Sequence, residues 1–125
     1  MTHSAEMPAV VDRYFAAVNA RDWAAIAPCF TEDAEFWMLG ARTARGGAEI
    51  AEQLRKSLEP LPETNDEVVR VAADGTLVLA ELVFRARTPA GDSIRLNAAD
   101  VFELTPGGEA ITRVSNWSGS PRQAG

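Results

Sequence analysis

The stretch from Ser93 to Leu104 constrains this fold more than any other, because it alternates without interruption. Read with a period of two, Ser-Ile-Arg-Leu-Asn-Ala-Ala-Asp-Val-Phe-Glu-Leu places Ile94, Leu96, Ala98, Asp100, Phe102 and Leu104 on one face. Arg95, Asn97, Ala99, Val101 and Glu103 fall on the other. The first face is apolar apart from Asp100. A carboxyl set among Ile, Leu and Phe must find a partner or keep its proton, because desolvation penalises the charged form and raises the pKa. Asp100 is therefore a candidate proton donor. The competing reading is a rim residue near a strand end, or a hydrogen-bonded structural Asp.

At 125 residues the chain has the size of one domain, 1–125, with room for a core that needs no disulfide or metal as a prop. A net charge of -6 with no Lys/Arg cluster argues against nucleic acid or an anionic membrane surface as the main partner. Hydrophobic or neutral small molecules stay open as ligands. Cys29 is the single cysteine and His3 the single histidine, so the chain alone cannot build the usual zinc, Cys-His or Ser-His-Asp arrangements. His3 is expected in a frayed start. The first residues lack the charged start and apolar run of a signal peptide, and no stretch approaches the roughly 18 apolar residues of a membrane span. The expectation is a cytoplasmic enzyme or binding protein.

Helices come first along the chain. From Glu6 to Ala20, Met7, Val10, Val11, Tyr14, Phe15 and Val18 form one helical stripe, with Pro8 suited to the first turn. Tyr14 points inward with that stripe, and a buried phenol wants a partner for its hydroxyl. Asp22 can cap a second, short helix carrying Trp23, Ile26 and Phe30, which Pro28 should bend or end. Ala34 to Leu39 reads as a short strand, Ala41 to Gly47 as a loop, and Ala48 to Leu58 as a third helix with Ile50, Leu54 and Leu58 inward. After Thr64 the pattern is antiparallel sheet. Glu67 to Ala73 and Thr76 to Arg87 flank an Asp74-Gly75 hairpin signal, with Ala80, Leu82, Phe84 and Ala86 on one face of the second strand. The Asp100 strand follows. In the last strand, Ala110 to Ser118, strict alternation sets Ile111, Arg113, Ser115 and Trp117 against Thr112, Val114, Asn116 and Ser118. The tail from Gly119 is polar and expected to be loose. Helices on one side of a long curved antiparallel sheet make an α+β domain with its pocket between the layers.

The opening Met7-Pro-Ala-Val-Val-Asp-Arg-Tyr14-Phe-Ala-Ala-Val-Asn-Ala-Arg-Asp22, with Ile26, Phe30 and Asp33-Ala34, resembles bacterial Δ5-3-ketosteroid isomerase. Asp100-Val-Phe102 in the penultimate strand and Asn116-Trp117-Ser118 in the last extend the likeness over nearly the whole chain. At the broader level it resembles the nuclear-transport-factor-2-like (NTF2-like) cone, shared by ketosteroid isomerases, SnoaL-like polyketide cyclases, limonene-type epoxide hydrolases and dehydratases. That likeness implies three N-terminal helices on a curved cystatin-like sheet; it implies no single reaction. In ketosteroid isomerase, a well-known case, the oxyanion hole is a Tyr of the first helix and a protonated Asp of the penultimate strand. Those roles fall on Tyr14 and Asp100. The aromatic of the last strand that lines the steroid cavity falls on Trp117, joined by Phe84 and Phe102. Plain core packing is the other reading of each aromatic.

The departures bear on the chemistry. The family's general base, an Asp within a Glu-Asp-Pro run of the first strand, is replaced here by Phe36-Trp37-Met38-Leu39. No carboxylate stands at that point, and general base catalysis contributes roughly 10²- to 10⁴-fold. The supporting tyrosine of the third helix corresponds to a position near Leu54, which has no hydroxyl. Glu35 reaches the pocket only if its strand carries a bulge or shifted register, and otherwise is a solvated surface residue. Arg113, on the Trp117 face, either sits at the cavity mouth or snorkels out of the sheet.

Three readings follow. The first is a cofactor-independent enzyme with Asp100 as general acid and Tyr14 as second donor. It would isomerise, cyclise, dehydrate or open an epoxide in a hydrophobic ringed substrate held by Phe36, Trp37, Met38, Leu54, Phe84, Phe102 and Trp117. The second is a steroid Δ-isomerase that uses Glu35 as an unusual base. The third is a non-catalytic module that holds a hydrophobic ligand. No metal, nucleotide or flavin motif is present. The resemblance implies a homodimer through an outer sheet face carrying Asn97, Ala99, Val101, Val114 and Asn116.

Overall fold

The computed structural model describes residues 6–119 and the backbone of 122–123. His3 and most of the polar tail lie outside the described residues. Helix α1 is Ala9–Ala20, and it starts behind Pro8, whose ring fixes φ near the helical value. Its buried stripe is Val10, Val11, Tyr14, Phe15, Ala17 and Val18. The helix ends where Arg21 turns left-handed at φ 58. There the Arg21 guanidinium donates to the carbonyls of Leu58 and Glu59 at 3.2 and 3.0 Å, tying the end of α1 to the end of α2, Gly47–Leu58.

Between the two helices the chain departs from the expected short helix. Trp23–Ala25 and Ala27–Cys29 are two separate 3-10 turns, because Pro28 has no amide hydrogen with which to continue an α-helix. Helix α2 starts hard against the second turn. A Cβ at Gly47 would stand 2.6 Å from the Ala27 carbonyl oxygen, so only glycine fits.

The strands are β1 Phe30–Met38, β2 Ala41–Arg45, β3 Glu63–Asp74, β4 Leu77–Arg87, β5 Ser93–Leu104 and β6 Ile111–Ser118, with a short β7 at Arg122–Gln123. They form one sheet in the order β2-β1-β6-β5-β4-β3, with β7 on β5. Every neighbouring pair is antiparallel except β1 and β6, which run parallel, so the sheet is mixed rather than wholly antiparallel. Ala41 to Arg45 is a strand and not the expected loop. Leu39 and Gly40, at φ 50 and 87, make the two-residue turn whose twist suits a hairpin. Strand β3 begins at Glu63, four residues before the expected start.

A bulge in β6 decides which side chains face the helices. Leu104 pairs with Ile111 but Glu103 pairs with Arg113, so Thr112 is an extra residue. Ile111 and Val114 are consequently both fully buried, and Asn116 and Ser118 follow them inward. Arg113, Ser115 and Trp117 face out. The strict alternation expected for this strand fails at that one residue, and Val114 and Asn116 do not belong to the outer face assigned to them. On β5 the expected alternation holds, with Ala98, Asp100, Phe102 and Leu104 buried.

Candidate active site

The concave side of the sheet and the two helices enclose a cavity of about 190 Å³. That exceeds the roughly 150 Å³ that holds a benzene ring. Its deep wall is Tyr14 and Val18 of α1, Phe36 of β1, Leu82 and Phe84 of β4, and Ala98 and Asp100 of β5. Its rim is Met38, Gln53, Ser57 and Ser118, half-buried or exposed. Most of the lining is apolar, so the few polar groups stand out.

Tyr14 is wedged by three phenylalanines. Phe15, Phe30 and Phe102 meet its ring edge-on at 5.3, 5.7 and 5.7 Å, which fixes the direction of the phenol. Among the described residues nothing accepts or donates a hydrogen bond at its hydroxyl, which opens on the cavity. Burial, reinforced by the nearby Asp100 carboxyl, pushes the phenol well above its ordinary value. It stays a neutral donor.

Asp100 is 5% exposed and takes a hydrogen bond of 2.6 Å on Oδ1 from Asn116 Nδ2, across the β5–β6 pairing that sets the two residues opposite each other. Burial pushes its carboxyl up to about 7; the Asn116 hydrogen bond pulls the other way and Asp66 adds to the rise. Desolvation wins. Near neutral pH about half of the molecules therefore carry a proton on this acid, and Oδ2 is the oxygen left to hold it.

A second carboxyl, absent from the sequence reading, lines the same cavity. Asp66 on β3 is partly buried, and burial alone pushes it up to about 6. Its backbone N–H donates to Asn19 Oδ1 at 2.8 Å and its carbonyl accepts from Asn19 Nδ2 at 2.9 Å. The open edge of β3 is thus closed by a side chain from α1. Carrying the alternation of β3 back from Val68 would have placed Asp66 inward. The polar run Glu63-Thr-Asn-Asp-Glu hid that strand start. Asn116 was missed for a different reason, the Thr112 bulge.

Phe36, Met38, Leu54 and Phe84 join Tyr14 and Asp100 at the cavity. Phe102 does not line it; wholly buried, it backs the Tyr14 ring. Trp37 and Trp117 face away. Trp37 lies under the Arg113 guanidinium at 4.4 Å, and Trp117 is 49% exposed on the outer face beside Val69, Val83 and Ala99. Glu35 is also outside, where it accepts from Trp37 Nε1 at 3.0 Å and pairs with Arg42 at 3.3 Å. The strand parity of β1, Phe36 and Met38 in and Glu35 and Trp37 out, takes Trp37 off the wall expected to hold substrate and makes Glu35 the surface residue of its two readings. Arg113 faces Glu103 and Ser115 rather than the mouth. Among the described residues no group of His, Cys, Asp and Glu is placed to hold a metal, and no helix is long and apolar enough to cross a membrane.

A curved mixed sheet with a buried acid and a phenol under two helices defines the class, an NTF2-like α+β cone. The SnoaL-like domain profile matches residues 11–114, and the chain belongs to that family. No curated protein sequence matches it. Among solved structures, the epoxide hydrolase/cyclase-like enzyme SalBIII, which has a role in pyran ring formation in the polyether salinomycin, is 30% identical, with 88% of each chain covered and a TM-score of 0.76. An LEH-like epoxide hydrolase of M. tuberculosis is 22% identical, covering 90% of this chain and 81% of its own, at a TM-score of 0.76. A protein with a ketosteroid isomerase-like fold from Catenulispora acidiphila is 18% identical, covering 90% and 86%, at 0.78. The last two likenesses concern the fold alone.

Proposed function

We propose that this chain is a small-molecule enzyme that opens an epoxide on a hydrophobic, ringed substrate, with or without ring closure. Asp100 acts as general acid and Tyr14 as the second donor to the departing oxygen. The observation that carries this reading is the pair itself, a buried carboxyl and a buried phenol facing one apolar cavity. The likeness to an epoxide hydrolase/cyclase-like enzyme supports the choice among the reactions the pair could serve. An epoxide oxygen gains charge as its C–O bond breaks. A donor aimed at such an oxygen contributes roughly 10²- to 10³-fold, and general acid catalysis roughly 10²- to 10⁴-fold. Asn116 holds Oδ1 of Asp100 so that Oδ2 faces the substrate. The apolar walls around the carboxyl disfavour its charged form and so keep its proton available.

The Δ-isomerase reading required Glu35 as base, and Glu35 is on the far side of the sheet. A binding module remains the competitor, and one experiment separates it from the enzyme. Cyclohexene oxide serves as probe, with diol formation followed by gas chromatography. Asp100→Asn, which keeps the shape and removes the proton, is expected to lower turnover by about 10²-fold or more. Unchanged turnover in the variant overturns the acid assignment. No turnover in either protein, together with tight binding of phenols that Tyr14→Phe abolishes, makes the chain a hydrophobic-ligand carrier.

A further inference from the structure

We infer that Asp66 is the proton acceptor of this site, working across the cavity from Asp100: β3 supplies the base and β5 the acid. The inference rests on the proposed acid chemistry above and adds the group that chemistry lacks in the first strand.

Geometry separates Asp66 from the other acids of its strand. Glu63 and Glu67 point outward and pair with Arg87 and Arg85, at 3.5 and 2.8 Å. Asp66 points inward, partly buried, and lines the cavity together with Tyr14 and Asp100. A carboxylate kept for structure is normally given donors. Among the described residues nothing donates a hydrogen bond to the Asp66 carboxylate, although its own backbone is held twice by Asn19. Asn19 stands five residues along α1 from Tyr14, so one rigid helix sets the phenol and the β3 acid relative to each other. The position is fixed while the carboxylate is left free, which is the condition a general base needs.

The charged groups around it leave the role open. Tyr14 faces it from α1 and Asp100 from β5. Helix α2 and strand β4 bring only uncharged side chains to the cavity, Gln53, Leu54, Ser57, Leu58, Leu82 and Phe84. Arg21, the cation nearest in sequence to the end of α1, is turned to Thr64 Oγ1 and the α2 carbonyls. Burial brings Asp66 to about 6 and Asp100 to about 7, so near neutrality the first is mostly a carboxylate while the second still holds protons. Two acids whose surroundings set them apart in this order divide into base and acid.

The step balances on the epoxide probe. Water forms a C–O bond to one epoxide carbon as the ring C–O bond breaks, and its proton passes to the Asp66 carboxylate. The released electron pair goes to the epoxide oxygen, which takes the Asp100 proton. One proton then returns from Asp66 to Asp100 through solvent, leaving the diol. A substrate hydroxyl in place of water gives ring closure by the same transfers.

The test compares pH profiles of cyclohexene oxide turnover. The wild type should give a bell, with the acid limb from Asp66 near pH 6 and the alkaline limb from Asp100 near pH 7. Asp66→Asn should lower kcat/KM by about 10²-fold and remove the acid limb. Asp66→Ala should regain activity with added formate, a carboxylate that enters the vacated space; a merely structural Asp would not be rescued. An acid limb retained in Asp66→Asn while Asp100→Asn is inactive overturns the inference and leaves the proposed function standing. Wild-type protein that turns over no epoxide overturns the function first. The carboxyl carbons followed by NMR then decide the inference alone: an Asp100 midpoint that does not fall in Asp66→Asn shows that the two acids share no site.

Discussion

The two faces of the sheet treat a carboxyl in opposite ways. On the convex side Glu35 receives Trp37 Nε1 and pairs with Arg42, and its carboxyl is held below the ordinary value, first by the Trp37 hydrogen bond. Arg113, stacked on Trp37, adds to the same effect. On the concave side Asp100 has one neutral donor and an apolar surround, and burial keeps it well above the ordinary value. Glu35 and Asp100 sit on strands that flank the same β6, a single strand apart. What separates a permanent anion from a proton donor here is which way each side chain leaves the pleat.

That contrast breaks most visibly in stability against pH. The Asp100 pKa is raised on folding, so its contribution is fully present below about pH 4 and is lost as pH rises through about 7. Taking the carboxyl from 3.8 to about 7 places a cost of about 4 kcal/mol on the folded anion, an upper figure. In urea unfolding, Asp100→Asn should gain on the wild type by ~2 kcal/mol or more between pH 5 and pH 8.5. A difference between the two proteins that stays constant over that range would mean the acid is not buried in solution.

A smaller effect tests the convex face as a contact surface. Leu79 and Trp117 are 42% and 49% exposed there, and we infer that a second copy of the chain covers them. Light scattering should report a dimer for the wild type and a monomer for Trp117→Glu, with turnover per chain largely kept. A monomeric wild type removes that reading. The smallest effect belongs to Glu35→Gln, which should change neither the pH profile of turnover nor the unfolding midpoint measurably; loss of the acid limb in this variant would move the base to the wrong side of the sheet.

Much of the concave face was legible in the letters. The uninterrupted alternation of Ser93–Leu104 put Asp100 inward, and the helical stripe of α1 did the same for Tyr14. Elsewhere local periodicity met something it does not encode. One extra residue at Thr112 shifts the register, so the parity that sent Trp117 into the cavity and Asn116 out of it failed. Ala41–Arg45 looked like a loop because edge strands carry charge, and β2 is an edge. For the same reason the polar start of β3, the other edge, concealed Asp66. Pro28 is legible as a breaker, but the close seat of Gly47 against Ala27 is a contact between two segments that no local pattern encodes.

The amide of Asn19 has a second consequence. By occupying the outward N–H and C=O of Asp66, it fills the place where a stray extended segment from another molecule would add to the sheet. A long border strand is thereby blocked near its start, and the side chain that denies this stretch to a foreign strand is the one that fixes the Asp66 backbone beside the cavity.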